Sequence, residues 1–280
     1  MTSLRRSVVV ASVSVACIFS ATQIQAAESF FSADGSTVTM VTRRSPGLVK
    51  VNVKSGKVTQ APLPKELKEE FIESVARGGE DEALFLAKDA VWVWKEDSTP
   101  PVKRVCSTAP VVGAMDLFVV TDEKSPLHDT LFVSGTEKDD TSGRPVFYGR
   151  KPGAKTFTSV FCRRVESAQA GAFAEGGRFF FTGNGDVWEG GILPEEDASI
   201  DRLGVLVGAR IAPMAVLNTD EGNSGGLWVS QIVPVEDNLY LRMRGRHMGA
   251  ILRIPMPAKP LYTPDSEEQP TIETQLDAMK

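Results

Sequence analysis

Glu175–Gly183 reads EGGRFFFTG and Asp186–Leu193 reads DVWEGGIL. A turn of acid and glycine leads into an apolar run of strand length, and Asn184-Gly185 reverses the chain into a second run that carries a tryptophan. The same unit stands elsewhere in the chain. It reads ADGSTVTMVT (33–42) then GLVKVNV (47–53), GEDEALFLAK (79–88) then AVWVWK (90–95), LHDTLFVSG (127–135) then PVFYGRK (145–151), and VEDNLYLRMR (235–244) then GAILRIP (249–255). The first strands of the copies begin near Val38, Leu84, Leu131, Phe179 and Leu239, which are 46, 47, 48 and 60 residues apart.

Three near-equal intervals of this size match a four-stranded propeller blade, roughly 40 to 50 residues, whereas a sandwich has turn signals every 8 to 12 residues and no longer period. The expected fold is therefore all-β, a small β-propeller of about five four-stranded blades, with six kept open. One blade cannot bury both faces alone, so Trp92, Trp94, Trp188 and Trp228 are expected to pack between blades. The longer last interval implies an insertion, and it holds the Gly-rich stretch from Asn218 to Gly226. Helical character is confined to Lys65–Ala76, after Pro64, where a short helix is expected.

Leu48–Pro64, LVKVNVKSGKVTQAPLP, resembles the second half of the TolB-type (WD40-like) bacterial propeller repeat. Val51-Asn52-Val53 occupies that repeat's hydrophobic-Asx-hydrophobic triplet, Gly56-Lys57 its return turn, and Ala33-Asp34-Gly35 its acidic-glycine turn. The match is carried by one copy; Lys88-Asp89 and Gly183-Asn184-Gly185 keep only the turn chemistry. The resemblance implies a propeller and no particular activity, since this fold hosts many functions.

The first residues, Met1 to Arg6, carry positive charge and precede an apolar run from Val8 to Phe19 and a small-residue zone from Ala21 to Ala27. This order predicts a secretory signal peptide over 1–26, cut after Ala26, because the run is too short to span about 30 Å of hydrocarbon. Lipidation at Cys17 is the alternative, disfavoured by the Ser14-Val15-Ala16 that precedes it. The expectation is an exported protein, periplasmic or extracellular, with no membrane span in the mature chain. Residues 27–264 form the propeller domain, and 265–280 an acidic, Pro-containing tail expected to be disordered. The net charge of −5 argues against a nucleic-acid partner, whose affinity rests on phosphate neutralisation. Arg242, Arg244, Arg246 and His247, spaced by two, read as the solvated face of a strand.

Gly222-Asn223-Ser224-Gly225-Gly226 matches the sequence around the nucleophile of chymotrypsin-fold serine proteases. The two histidines do not fit that chemistry: His247 follows the serine, and His128 begins a repeat copy. A glycine-rich loop accounts for the motif, and a serine hydrolase remains a remote alternative. Carboxylate catalysis is the stronger enzymatic alternative, a channel-centred hydrolase of the glycoside-hydrolase kind, with Asp34, Asp116 and Glu175 as candidates at inner-strand positions. No metal-ligand spacing or phosphate loop stands out, although Asn218, Asp220 and Asn223 could crowd around a calcium ion in the insertion. No cofactor, metal or catalytic residue is assigned.

The favoured reading is a non-enzymatic binding or interaction protein that recognises a glycan or an envelope protein through loops at one end of the channel. Asn218, Asp220, Asn223 and Trp228 are its candidate ligand-loop residues, because loops on rigid scaffolds concentrate binding. Two further expectations follow from the blade assignment. Cys106 and Cys162 close successive copies, so their blades' outer edges should hold them apart as free thiols. Pro255, Pro257 and Pro260 make the chain after 254 a poor fourth strand, so Glu28–Ser32 is expected to complete the last blade.

Overall fold

The computed structural model describes residues 26–31, 36–42, 47–52, 54–67, 71–79, 82–120, 122–162, 165–197, 199–212, 228–244 and 249–262. Among the described residues, nineteen strands and two short 3-10 turns make up the regular structure, which is all-β. The strands form successive antiparallel meanders. The first holds β1 (Ala26–Phe31), β2 (Thr37–Thr42), β3 (Gly47–Asn52) and β4 (Val58–Pro62), and the second β5 (Ile72–Arg77), β6 (Glu82–Ala87), β7 (Ala90–Lys95) and β8 (Val102–Ser107). The third holds β9 (Val111–Val119), β10 (Leu131–Glu137), β11 (Val146–Arg150) and β12 (Thr158–Cys162). The fourth holds β13 (Ala168–Phe173), β14 (Phe179–Gly183), β15 (Asp186–Pro194) and β16 (Gly204–Ala212), and the last β17 (Trp228–Val235), β18 (Asn238–Arg244) and β19 (Gly249–Pro255).

The first strands of the meanders are neighbours in order: β1 lies against β5, β5 against β9, β9 against β13, β13 against β17, and β17 returns to β1. Between each successive pair of meanders lies one apolar layer. Val41, Leu48, Leu63, Val75, Phe85 and Trp94 fill the first, and Leu86, Val91, Leu117, Val133 and Tyr148 the second. The third is a phenylalanine layer of Phe118, Phe132, Phe147, Phe179 and Phe181, and the fourth holds Phe180, Val187, Val229, Leu239 and Leu241. A β-sheet buries its faces only by stacking on another, and here the stacking runs sheet to sheet around an axis.

The repeat is legible at atomic detail. Phe85 pairs across the hairpin with Trp92, and Phe181 with Trp188. Each pair stacks at a centroid separation of 6.2 Å. The indole N–H of Trp92 donates to the Ala87 carbonyl at 3.3 Å and that of Trp188 to the Gly183 carbonyl at 3.0 Å. Each tryptophan thus packs into an inter-sheet layer, as its sequence context implies. The connecting turns use positive φ, at Lys88 (49°) and Asp89 (51°) and at Asn184 (52°) and Gly185 (82°), the conformation that matches strand twist in a tight hairpin. In the segment that resembles the TolB-type repeat, Asn52 Oδ1 accepts from the Ser55 N–H at 2.8 Å and Gly56 takes φ of 69°.

Three expectations are corrected. Where a helix is expected over Lys65–Ala76, the described residues form a 3-10 turn over Lys65–Leu67 and strand β5, whose Ile72, Ser74, Val75 and Ala76 are buried. The N-terminal strand does not complete the last meander; β1 pairs with β2, Phe30 opposite Thr39, as the innermost strand of the first. The last meander is a three-stranded sheet among the described residues. Outer edges also need not diverge. The fourth strands β12 and β16 pair in parallel, Val160 opposite Gly204, and join the third and fourth meanders into one eight-stranded sheet. Cys106 and Cys162 are free thiols on the fourth strands of the second and third meanders.

Candidate functional site

The inner strands enclose a cavity of about 460 Å³, within the size range of small-ligand pockets. β5 contributes Val75 to Arg77, β9 Asp116 to Val119, β13 Gly171 to Phe173, and β17 Gln231 to Val233. Arg178, Glu236, Asp237 and Met256 also line it. At one end it adjoins an open groove of about 1160 Å³, and Arg77, Val119, Phe173, Ala174 and Gly176 line both.

Asp116 sits at the junction of three inner strands. Its Oδ1 accepts from the Ser74 hydroxyl on β5 at 2.8 Å, and its Oδ2 accepts from the Gly171 N–H on β13 at 3.0 Å. Only 2% of Asp116 is exposed. Burial pushes its carboxyl up from the ordinary 3.8 to about 7, against the lowering effect of the Gly171, Ser74 and Leu117 donors. Gln231 adds a further tie, donating from Nε2 to the Val75 carbonyl at 3.1 Å, and the Ser134 hydroxyl donates to the Gln169 carbonyl at 2.6 Å. These bonds add buried polar ties between sheets whose shared layers are largely apolar.

Arg178 lines the cavity and pairs with Glu189 behind it. Glu189, 1% exposed, accepts from Arg178 Nε at 2.7 Å and from the Leu261 N–H at 3.0 Å, while Arg178 Nη1 donates to the Pro257 carbonyl at 2.9 Å. The chain after β19 is thereby fastened back onto the fourth meander. The Pro-rich sequence cannot pair as a strand, and it is held instead by one buried carboxylate.

The sequence candidates divide. Asp116 is in the cavity with both oxygens already engaged. Glu175 lies in the second 3-10 turn, Glu175–Gly177, whose Gly176 lines the cavity rim. Asp34, Asn218, Asp220 and Asn223 lie outside the described residues, as does Ser224. Trp228 opens β17 opposite Arg244, on the strand that supplies Gln231 to the cavity. Arg242 and Arg244 both fall on β18, as their spacing suggests, and Arg246 and His247 lie outside the described residues. Arg77, Arg150, Arg178 and Glu189 carried no sequence signal, because none belongs to a motif and their partners are distant in the chain. Among the described residues no group of three or more His, Cys, Asp or Glu is placed to hold a metal ion, and no helix is long and apolar enough to cross a membrane.

No family model matches the chain, and no curated protein matches it. Solved structures do. One from a nidogen–laminin complex aligns over 79% of this chain and 72% of its own, at 11% identity and a TM-score of 0.52. Regucalcin from Agrobacterium tumefaciens aligns over 84% and 75%, at 13% identity and 0.47, and YCF48 bound to a D1 peptide over 84% and 65%, at 16% identity and 0.43. These neighbours are β-propellers, and the first likeness assigns this chain that architecture and no activity.

Proposed function

We propose that this chain is an exported, non-enzymatic five-bladed β-propeller of the TolB-like kind that binds a glycan or an envelope protein at one end of its channel. The observation that carries the reading is the cavity enclosed by inner strands of successive meanders and opening into a wide groove at one mouth. A rigid scaffold with a preformed concave site suits recognition. The insertion from Asn218 to Gly226 precedes the N-terminal end of β17, away from the groove side where β5, β9 and β13 end, so Asn218, Asp220, Asn223 and Trp228 are proposed to contribute to the other end of the channel. The order of the five meanders supports the blade number, and the positively charged, then apolar, N-terminus supports export.

A second reading has one observation in its favour: Asp116 carries a carboxyl near neutrality inside the channel, a property that acid catalysis uses. Both its oxygens are occupied by Ser74 and Gly171, which suits a structural tie better than proton donation to a substrate. The test is to incubate the protein with a panel of envelope-type oligosaccharides and to follow binding and reducing-end release together. Binding without release is expected. Release that Asp116→Asn abolishes would replace this reading by the hydrolase.

A further inference from the structure

Three buried side-chain nitrogens without a hydrogen-bond partner lie around this one mouth. Arg150 Nε and His128 Nδ1 belong to residues lining the groove, and Arg178 Nη2 to a residue lining the channel beyond it. Arg77, which lines both spaces, has neither an ion-pair nor a hydrogen-bond partner among the described residues. The groove wall also holds four acids, matched in number by Arg77, Lys124, Arg150 and Lys151. Glu82 accepts from Lys95 at 3.2 Å, Asp122 Oδ1 accepts from the Lys124 N–H at 3.0 Å, and Asp129 faces His128; Glu123 is exposed. A guanidinium nitrogen buried without an acceptor is unfavourable, and an oxyanion supplies both the acceptor and the compensating charge.

His128 narrows the chemistry. Asp129 Oδ2 lies 3.4 Å from Nε2, and in the tautomer that carries its proton on Nε2, toward this carboxylate, Nδ1 is free to accept a hydrogen bond. A group that satisfies this wall therefore brings an oxyanion for the arginines and a hydroxyl for His128. We infer that the groove binds a carboxylated sugar, its carboxylate held between Arg77 and Arg150, a hydroxyl donating to His128 Nδ1, and the chain of the glycan leading past Arg178 into the channel. This rests on the binding reading above and names its ligand class.

The test is calorimetric titration of the protein, at low salt, with a short oligogalacturonide, the corresponding neutral galactose oligomer and an oligoglutamate peptide. The oligogalacturonide is expected to bind at least about tenfold more tightly than either competitor, since a charge-assisted Arg–carboxylate pair is stronger than a neutral contact. Arg77→Ala and Arg150→Met should each weaken it by about tenfold, and Lys57→Ala, in the exposed turn before β4, should leave it unchanged. If Arg150→Met does not fold, Arg77→Ala at its exposed strand end carries the test. Binding of the neutral oligomer that neither arginine variant alters would overturn the carboxylate site while leaving a channel-mouth glycan site intact. Preference for the peptide, or no binding of the oligogalacturonide, would overturn the inference itself.

Discussion

Replacing Asp116 by Asn should remove a pH dependence from the stability of the whole ring. The wild-type carboxyl is buried and pushed up to about 7, whereas in the unfolded chain it titrates near 3.8. Between those values the folded protein holds a proton that the unfolded chain has released, so stability falls as pH rises through this window and is level above it. The full contribution is roughly 4 kcal/mol, of which roughly 3 kcal/mol falls between pH 5 and pH 8. Asparagine is close to isosteric and keeps both ties: its Oδ1 accepts from the Gly171 N–H and its Nδ2 donates to the Ser74 hydroxyl, which rotates to accept. Urea unfolding of both proteins at pH 5, 6, 7 and 8 measures the effect, and the difference between them cancels every other titrating group. The stability of Asp116→Asn relative to wild type should improve by roughly 3 kcal/mol across the series. Parallel profiles would refute the assignment of a buried, proton-retaining carboxyl at this junction.

Glu189→Ala leaves the Arg178 guanidinium and the Leu261 N–H without their buried acceptor, so a loss of about 3 to 5 kcal/mol is expected, with proteolysis of 256–262 accelerated. Gly190→Ala drives a methyl into the Val207 carbonyl opposite and should lower stability by about 2 to 4 kcal/mol, read by thermal melting. Burial pushes the Cys162 thiol up to about 11, so at pH 8 its thiolate is about a thousandfold scarcer than its thiol and iodoacetamide should label it slowly until urea is added. Deleting residues 28–33 strips β1 from β2 and should cost several kcal/mol through at least three lost backbone pairings of about 1 kcal/mol each and the exposed edge they leave, whereas deleting 265–280 should leave the melting temperature unchanged.

What could be read from the chain was what is local or repeated. Phe85 and Trp92 recur as Phe181 and Trp188 because each hairpin places an aromatic pair on the same face, and Lys88-Asp89 and Asn184-Gly185 announce the turns between them. β5 escaped because an inner strand is buried on both faces: Ile72, Ser74, Val75 and Ala76 lose the alternation that marks a strand and mimic a helical spacing. The parallel joining of β12 to β16, and the carboxylate of Glu189 reaching Leu261, depend on partners brought together only by the fold. The same holds for the site. Asp116 could be singled out as an inner-strand acid, but its partners Ser74 and Gly171 lie on two other meanders, and Arg77, Arg150 and Arg178 gather at one mouth from three.

A bound ligand should sit in the channel and at its groove mouth. Hydrogen exchange read by mass spectrometry, with and without a saturating ligand from the oligosaccharide and peptide titrations, measures this directly. Slowed exchange is expected over 75–77, 116–119, 171–178 and 231–237, the segments that line the channel, with β4 and β16 unchanged. Protection confined to β4 and β16, with the channel segments exchanging as before, would contradict it.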